Sequence, residues 1–116
     1  MTKIILQETL RTIFYVPLYS AFSLGAFARE GLDVELRTSP RPTDAAAGLI
    51  DGSLDVSLGG PMRVMKLREE NPPVRLTCFC EVVTRDPFCL VGHTPRPNFT
   101  FTDLSGLTVA SVSEVT

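Results

Sequence analysis

The sequence predicts an α/β sandwich, and three observations carry that prediction. Short runs of β-branched and other apolar residues alternate along the chain with segments whose apolar residues recur at helical spacing. Gly, Pro or Asp stands at each change of pattern, where the chain must turn. The chain has 116 residues, of which 44% are hydrophobic and 21% are charged, with a net charge of −2. That composition is ordinary for a globular protein and is sufficient for one modest domain.

The first three predicted elements are a strand, a helix and a second strand. Residues 3–8 form an apolar run typical of a strand, and residues 15–29 carry apolar side chains at helical spacing. Gly31 follows that helix, as expected of a residue that takes the left-handed conformation after a helix end. Residues 32–37 alternate strictly between apolar and charged side chains, which predicts a strand with one solvated face.

A short helix, a third strand and a longer helix follow. Thr43 and Asp44 are N-cap candidates for a helix over residues 45–50. Residues 54–58 predict the third strand, and a helix is expected over residues 61–70, after a turn rich in glycine. Strand and helix therefore alternate three times in this part of the chain.

The remaining chain predicts three more strands. Residues 74–82 alternate cleanly, which places Cys78 and Cys80 on the apolar face of a strand. The other predicted segments are a strand over residues 87–91, a loop over residues 94–98, a capped turn over residues 102–106 and a last strand over residues 107–112.

Charge and hydropathy exclude several kinds of partner. Eleven Lys and Arg residues against thirteen Asp and Glu leave no basic excess, so we expect no binding to nucleic acid or to an anionic membrane. No apolar stretch reaches the roughly 20 residues that a membrane-spanning helix needs. We identify no secretion signal, and three cysteines are too few for a disulfide scaffold. The sequence thus leaves the compartment open.

Two connections between a strand and a helix are candidates for ligand binding. The turn at Gly59, Gly60 and Pro61 presents backbone N–H groups beside a helix N-terminus, which suits an anionic or strongly polar ligand; a plain tight turn explains the same glycines. In the loop over residues 9–15, Arg11 can pair with a carboxylate or sulfonate and Tyr15 can stack or hydrogen-bond. Equally, Arg11 can be merely solvated, and Tyr15 can belong to the buried face of the helix.

The other chemically active residues do not compose a catalytic set. Cys78, Cys80 and Cys89 with His93 lack the spacing of a structural zinc site, so we interpret the cysteines as core residues. No nucleophile motif accompanies His93, and neither standard phosphate-binding loop is present. Glu81, at the end of a predicted strand, is placed where a cleft could use it, although a solvent-facing role fits as well. We expect no catalytic residue, no metal site and no cofactor.

Three segments in order resemble a known family. They are YVPLYSAFSLGAFAREGLDVEL at residues 15–36, GLIDGSLDV at residues 48–56 and DLSGLTV at residues 103–109. These segments are similar to those of the solute-binding proteins of nitrate, sulfonate, taurine and pyrimidine-precursor transporters, the NMT1/THI5-like group that includes the thiamine pyrimidine synthases. The resemblance covers nearly the whole chain.

The resemblance implies the type II periplasmic-binding-protein fold, in which two three-layer α/β lobes, with mostly parallel sheets and helices on both faces, close on a ligand. Residues 1–92 would be the first lobe, and residues 93–116 the hinge crossing and first strand of a truncated second lobe. A small solute and the permease of an ABC transporter are the implied partners. Such proteins are mainly periplasmic, so a chain with no signal is expected to be either a mature or truncated form or a cytoplasmic relative. The implied ligand-binding residues are Glu8, Thr9, Arg11, Tyr15, Gly59, Gly60, Pro61, Met62, the strand end from Glu81 to Thr84, and Ser111 to Glu114 from the second lobe.

Two alternatives of other classes remain open at this point. One is an enzyme like the thiamine pyrimidine synthases, which would act with its own histidine and a vitamin B6 cofactor. The other is a lobe without a ligand that forms a homo-oligomer through an exposed sheet edge.

Overall fold

The computed structural model describes residues 1–41, 44–85 and 88–110. It has the predicted α/β architecture, a three-stranded parallel sheet flanked by helices, consistent with part of a type II periplasmic-binding-protein fold. The strands are β1 (Thr2–Glu8), β2 (Leu32–Thr38) and β3 (Val56–Ser57), in the order β2-β1-β3. The α-helices are α1 (Val16–Ser23), α2 (Ala26–Arg29), α3 (Asp44–Asp51) and α4 (Pro61–Glu70), with 3-10 helices at Ile13–Tyr15 and Phe101–Leu104. No helix in these ranges has the length and apolar character needed to cross a membrane.

Strand β1 lies at the centre of the sheet and becomes more buried towards its carboxyl end. It pairs with β2 along its whole length, from Thr2 opposite Leu32 to Glu8 opposite Thr38, and with β3 through Leu6 and Gln7. The last three residues of β1 are buried, including the charged Glu8. A central parallel strand is covered on both faces, so a carboxylate at its end must find partners inside the protein.

The prediction of a single helix over residues 15–29 is wrong, because this segment is interrupted in its middle. Gly25 has φ +66°, in the left-handed region, and it separates α1 from α2. The N–H of Leu24 still donates to the Ser20 carbonyl, but the N–H of Gly25 donates to the nearer Phe22 carbonyl, which closes the first helix. The predicted left-handed residue after the second helix is confirmed, since Gly31 has φ +73°.

The two later helices are confirmed with nearly the predicted bounds. Asp44 is the first residue of α3, whereas the other cap candidate, Thr43, lies outside the described residues. Strand β3 is shorter than predicted, although the N–H groups of Asp55 and Leu58 on either side of it donate to β1 carbonyls. Leu54, which precedes β3, is buried, as are Ala45 and Ala46 of α3, and these residues belong to a small core.

The three strands predicted after α4 are not found among the residues that the structure describes. Residues 74–82, 88–91 and 107–110 have no ladder partner there, and the rest of the last two predictions, Pro87 and residues 111–112, falls outside the described ranges. Alternating apolar residues give a strand only where a neighbour supplies hydrogen bonds. The predicted loop at residues 94–98 contains no helix or strand, and the capped turn forms as a 3-10 helix with Thr100 and Asp103 as its capping box.

The interpretation of the cysteines as core residues is also wrong. Cys78, Cys80 and Cys89 are all exposed. The same part of the chain exposes large apolar side chains, among them Phe79, Phe88, Val91 and Phe101. The radius of gyration is 17.7 Å, against about 13 Å for a compact chain of this length. Among the described residues, the buried apolar side chains all precede residue 75.

Candidate functional site

The strand order places a crevice at the carboxyl ends of β1 and β3. The chain leaves β1 for β2 on one side of the sheet, and β3 lies on the other side of β1. In open parallel sheets, ligands bind where neighbouring connections part in this way, outside the carboxyl ends of the strands. The connections that begin there are the loop of residues 9–15 and the turn of residues 58–60, so the topology brings together the two connections that the sequence singled out.

A cavity of about 400 Å³ opens at this point. Thr9, Leu58, Gly59 and Gly60 line it at the strand ends, and most of the segment of residues 75–82 lines another part of its wall. Its volume lies within the range of about 300–1,000 Å³ typical of small-molecule sites. Cys78 and Cys80 line it too; the sequence analysis missed them because alternation alone assigned both to a core.

The wall combines apolar side chains with three charged residues. Asp55, Arg63 and Arg75 contribute the charges, and most of the apolar side chains come from α3, α4 and β3 and from the segment of residues 75–82. A pocket with few polar groups among many apolar ones orients a small molecule that has both kinds of surface. The described residues contain no group of three or more His, Cys, Asp and Glu arranged to hold a metal ion.

The glycine turn leaves space at the N-terminus of α4. Gly60 is the N-cap residue, so no side chain there hydrogen-bonds to the N–H groups of the first turn, and Pro61 occupies that turn. A Cβ atom added at Gly59 or Gly60 would meet no atom within 4 Å, and neither glycine has a positive φ. These glycines therefore keep the cavity open at this end, and the backbone conformation does not require them.

A buried carboxylate lies beside the crevice. The Glu8 side chain has no exposed surface. Its Oε1 accepts hydrogen bonds from the Thr38 hydroxyl at 2.6 Å and from Arg11 Nε at 3.0 Å, and its Oε2 accepts one from the Tyr19 hydroxyl at 2.6 Å. Arg11 Nη2 also lies 3.0 Å from Oε1. Both carboxylate oxygens are thus satisfied, and we call Glu8, Arg11, Tyr19 and Thr38 the Glu8 cluster.

The cluster keeps Glu8 ionised. Burial alone would raise the pKa of Glu8, but the hydrogen bonds from Thr38, Tyr19 and Arg11 and the charge of Arg11 outweigh it, so the pKa lies below the ordinary value of 4.5. Burial, reinforced by the hydrogen bond to the carboxylate, raises the pKa of Tyr19. At neutral pH the cluster therefore contains an anionic Glu8 and a Tyr19 hydroxyl that keeps its proton.

The structure places the other predicted site residues apart from this arrangement. Tyr15 ends the first 3-10 helix, and its N–H donates to the Thr12 carbonyl at 3.1 Å. It is Tyr19, one helical turn later, that joins the cluster. Met62 is 63% exposed, and Glu81 is exposed and does not line the cavity although Cys80 and Val82 beside it do. Ser111 lies outside the described residues.

Known proteins similar to this chain place it in a family. The family model described as NMT1/THI5 like matches residues 13–116. The chain is 29% identical over 108 residues to the protein named "Putative binding protein YtlA" of Bacillus subtilis (strain 168), a match that covers 93% of this chain and 32% of the relative. The chain thus spans about a third of the length of that relative. No solved structure matches the chain. Because the family match takes in most of its length, the chain belongs to the NMT1/THI5-like family.

Proposed function

We propose that this chain is the first lobe of the solute-binding component of an ABC-type importer. Its solute would be a small organic or anionic molecule, a sulfonate, nitrate, taurine or a pyrimidine, held in a cleft between two lobes. Membership of the NMT1/THI5-like family and the relative named as a binding protein support a binding role. The observation that carries the proposal is the cavity at the carboxyl ends of β1 and β3, lined by Thr9, Gly59 and Gly60.

The proposal assigns different roles to two parts of the chain. Residues 1–92 would be the first lobe, and residues 93–116 would cross the hinge into a second lobe. A partner lobe would close over the crevice, and the permease would receive the solute from the closed form. One lobe alone offers only part of the enclosing contacts, so we expect weak binding by this chain.

The first test is a thermal-shift screen of the purified 116-residue chain. The panel contains taurine, methanesulfonate, nitrate and 4-aminopyrimidine, each at millimolar concentration. A ligand that binds the folded state raises the melting temperature in proportion to the logarithm of its excess over Kd. We expect one chemical class to raise it, by an amount that grows with the logarithm of the ligand concentration.

A pair of variants locates the binding. Gly59→Leu places a side chain in the space that the turn keeps open, and Ala47→Leu adds the same side chain at an exposed position of α3 outside the cavity. We expect Gly59→Leu to abolish the ligand-induced shift and Ala47→Leu to retain it. The proposal would fail if no ligand acted, or if both variants responded as the unmodified chain does.

The proposed role is binding, and His93→Ala tests it against the enzymatic alternative. His93 is exposed and lies outside the helices and strands. We expect His93→Ala to leave the thermal shift unchanged. Iron-dependent turnover by this chain that disappears in His93→Ala would instead support an enzyme.

A further inference from the structure

The Glu8 cluster contains an exposed cation attached to a buried anion. The Arg11 side chain is 68% exposed, whereas the Glu8 side chain has no exposed surface. Arg11 reaches Glu8 through the edge formed by Nε and Nη2, both of which lie 3.0 Å from Oε1. The guanidinium carbon also lies 5.6 Å from the centre of the Tyr19 ring, which supports the planar group from one side.

This attachment fixes which donors of Arg11 point away from the protein. A guanidinium has five N–H groups in a rigid fork. One edge of Arg11 is held by Glu8, and Nη1 has no hydrogen-bond partner among residues 1–41, 44–85 and 88–110. The outer edge, formed by Nη1 and the second N–H of Nη2, remains available to the oxygens of a carboxylate or sulfonate.

The partners of Glu8 come from three places in the fold. Arg11 lies in the loop after β1, Tyr19 lies on α1 and Thr38 ends β2. The Tyr19 hydroxyl also accepts a hydrogen bond from the N–H of Thr12 at 3.2 Å, so it holds the loop as well as the carboxylate. Glu8 therefore sets the position of the loop that borders the crevice.

We propose that Glu8 is a positioning residue: it holds the Arg11 guanidinium by its inner edge so that the outer edge meets an oxyanion of the solute. Glu8 itself does not contact the solute, because its carboxylate is buried. The role of Arg11 rests on the proposed solute-binding function, whereas the restraint of Arg11 by Glu8 does not depend on it.

The restraint is measured without any ligand, from the Nε–H signal of Arg11 in ¹⁵N NMR spectra. Arg11→Lys identifies this signal among those of nine arginines. We expect the Arg11 signal to be shifted from the cluster of solvated arginines and to exchange slowly with water. Glu8→Gln moves it to the solvated position, and Thr38→Val, which removes a different hydrogen bond to the same oxygen, leaves it in place.

The role in binding is measured by calorimetry with taurine as the probe. We expect Glu8→Gln to weaken taurine binding about tenfold, as the loss of one well-placed charge-assisted hydrogen bond would. Thr38→Val lowers the melting temperature but keeps the affinity, because the ion pair remains. Glu35→Gln removes an equal charge from the ion pairs with Lys3 and Arg37, and it keeps both the melting temperature and the affinity.

The NMR and calorimetric results test the positioning role of Glu8 and the identity of the solute separately. If Glu8→Gln leaves the Arg11 signal unchanged, or weakens taurine binding no more than Thr38→Val does, the positioning role is wrong. If the unmodified chain does not bind taurine while the Arg11 signal responds as expected, the restraint stands and the sulfonate solute is rejected. Should Glu8→Gln not fold, Glu8→Asp takes its place, because its shorter side chain cannot reach Arg11 and Tyr19 together.

Discussion

Replacing Glu8 by Gln removes one charge from a fully buried position and changes almost nothing in shape. The amide oxygen can take the place of Oε1 and accept from Thr38, and the amide NH2 then faces the Tyr19 hydroxyl, which must accept instead of donating. Arg11 loses the charge that held it and turns to water. The Tyr19 hydroxyl already accepts from the Thr12 N–H, so its own proton loses its acceptor. The variant therefore measures the contribution of the charge together with the hydrogen bonds that depend on it.

The expected cost follows from the hydrogen bonds that lose that charge. A bond to a charged group contributes about 1.5–3 kcal/mol and a neutral one about 0.5–1.5 kcal/mol. The buried bonds from Thr38 and Tyr19 lose a charged acceptor, whereas Arg11 is 68% exposed and regains water, which discounts its share. We expect Glu8→Gln to lower the free energy of unfolding by about 2–3 kcal/mol. For a chain of this size that is a fall in melting temperature of about 8–12 °C.

The lowered pKa of Glu8 also predicts how the stability difference between the two chains changes with pH. The pKa of Glu8 in the folded chain lies below its ordinary value of 4.5, so its stabilising contribution is complete above that value. The contribution is lost as the pH falls through the lowered pKa. The stability difference between the unmodified chain and Glu8→Gln is therefore largest at neutral pH and shrinks below about pH 4.5.

Urea unfolding of both chains at a series of pH values from about 7 to about 3 measures this difference. Glu35 is a carboxylate with 41% of its side chain exposed, and its pKa is also lowered, by hydrogen bonds from Arg37 and Lys3. Glu35→Gln serves as the control and should change stability little. A Glu8→Gln variant as stable as this control at pH 7, or a difference that acid leaves unchanged, would refute the reasoning.

Two further predictions concern packing and exposure. A Cβ at Gly48 would lie 2.6 Å from Cδ1 of the buried Leu54, so Gly48→Ala should lower stability by about 1–2 kcal/mol in urea unfolding, with overpacking exceeding the gain in helix propensity. Gly59→Ala meets no atom within 4 Å and should be nearly neutral; a stabilised Gly48→Ala would contradict the packing at Leu54. Cys78 and Cys80 are exposed and should react with a thiol reagent in the folded chain as fast as a free thiol does, whereas reaction only after unfolding would mean that they are buried.

Local signals in the sequence predicted the elements that depend on local chemistry. The strict alternation that predicts β2, the proline that begins α4 and the left-handed Gly31 are each determined within a few residues. The break at Gly25 was not predicted, because a glycine inside an apolar helical pattern is compatible with a continuous helix and with two. The strands expected after residue 73 depend on hydrogen-bond partners that a local pattern does not contain.

The candidate site also has parts that local sequence patterns predicted and parts that they did not. The sequence identified the two connections at the crevice because strand, turn and helix patterns locate the ends of parallel strands. It did not identify the Glu8 cluster as a unit, since Thr38 lies 30 residues from Glu8. Tyr15 and Tyr19 are both plausible from helical spacing, and only the path of the chain from β1 into α1 selects Tyr19.

The most direct test of the solute-binding account is an NMR titration of the ¹⁵N-labelled chain with taurine, methanesulfonate, nitrate and 4-aminopyrimidine. The account predicts saturable changes in amide shifts for one chemical class, largest at Thr9, Arg11, Gly59 and Gly60. Shift changes that never saturate with any of the four, or that saturate only in residues 93–110, would contradict it.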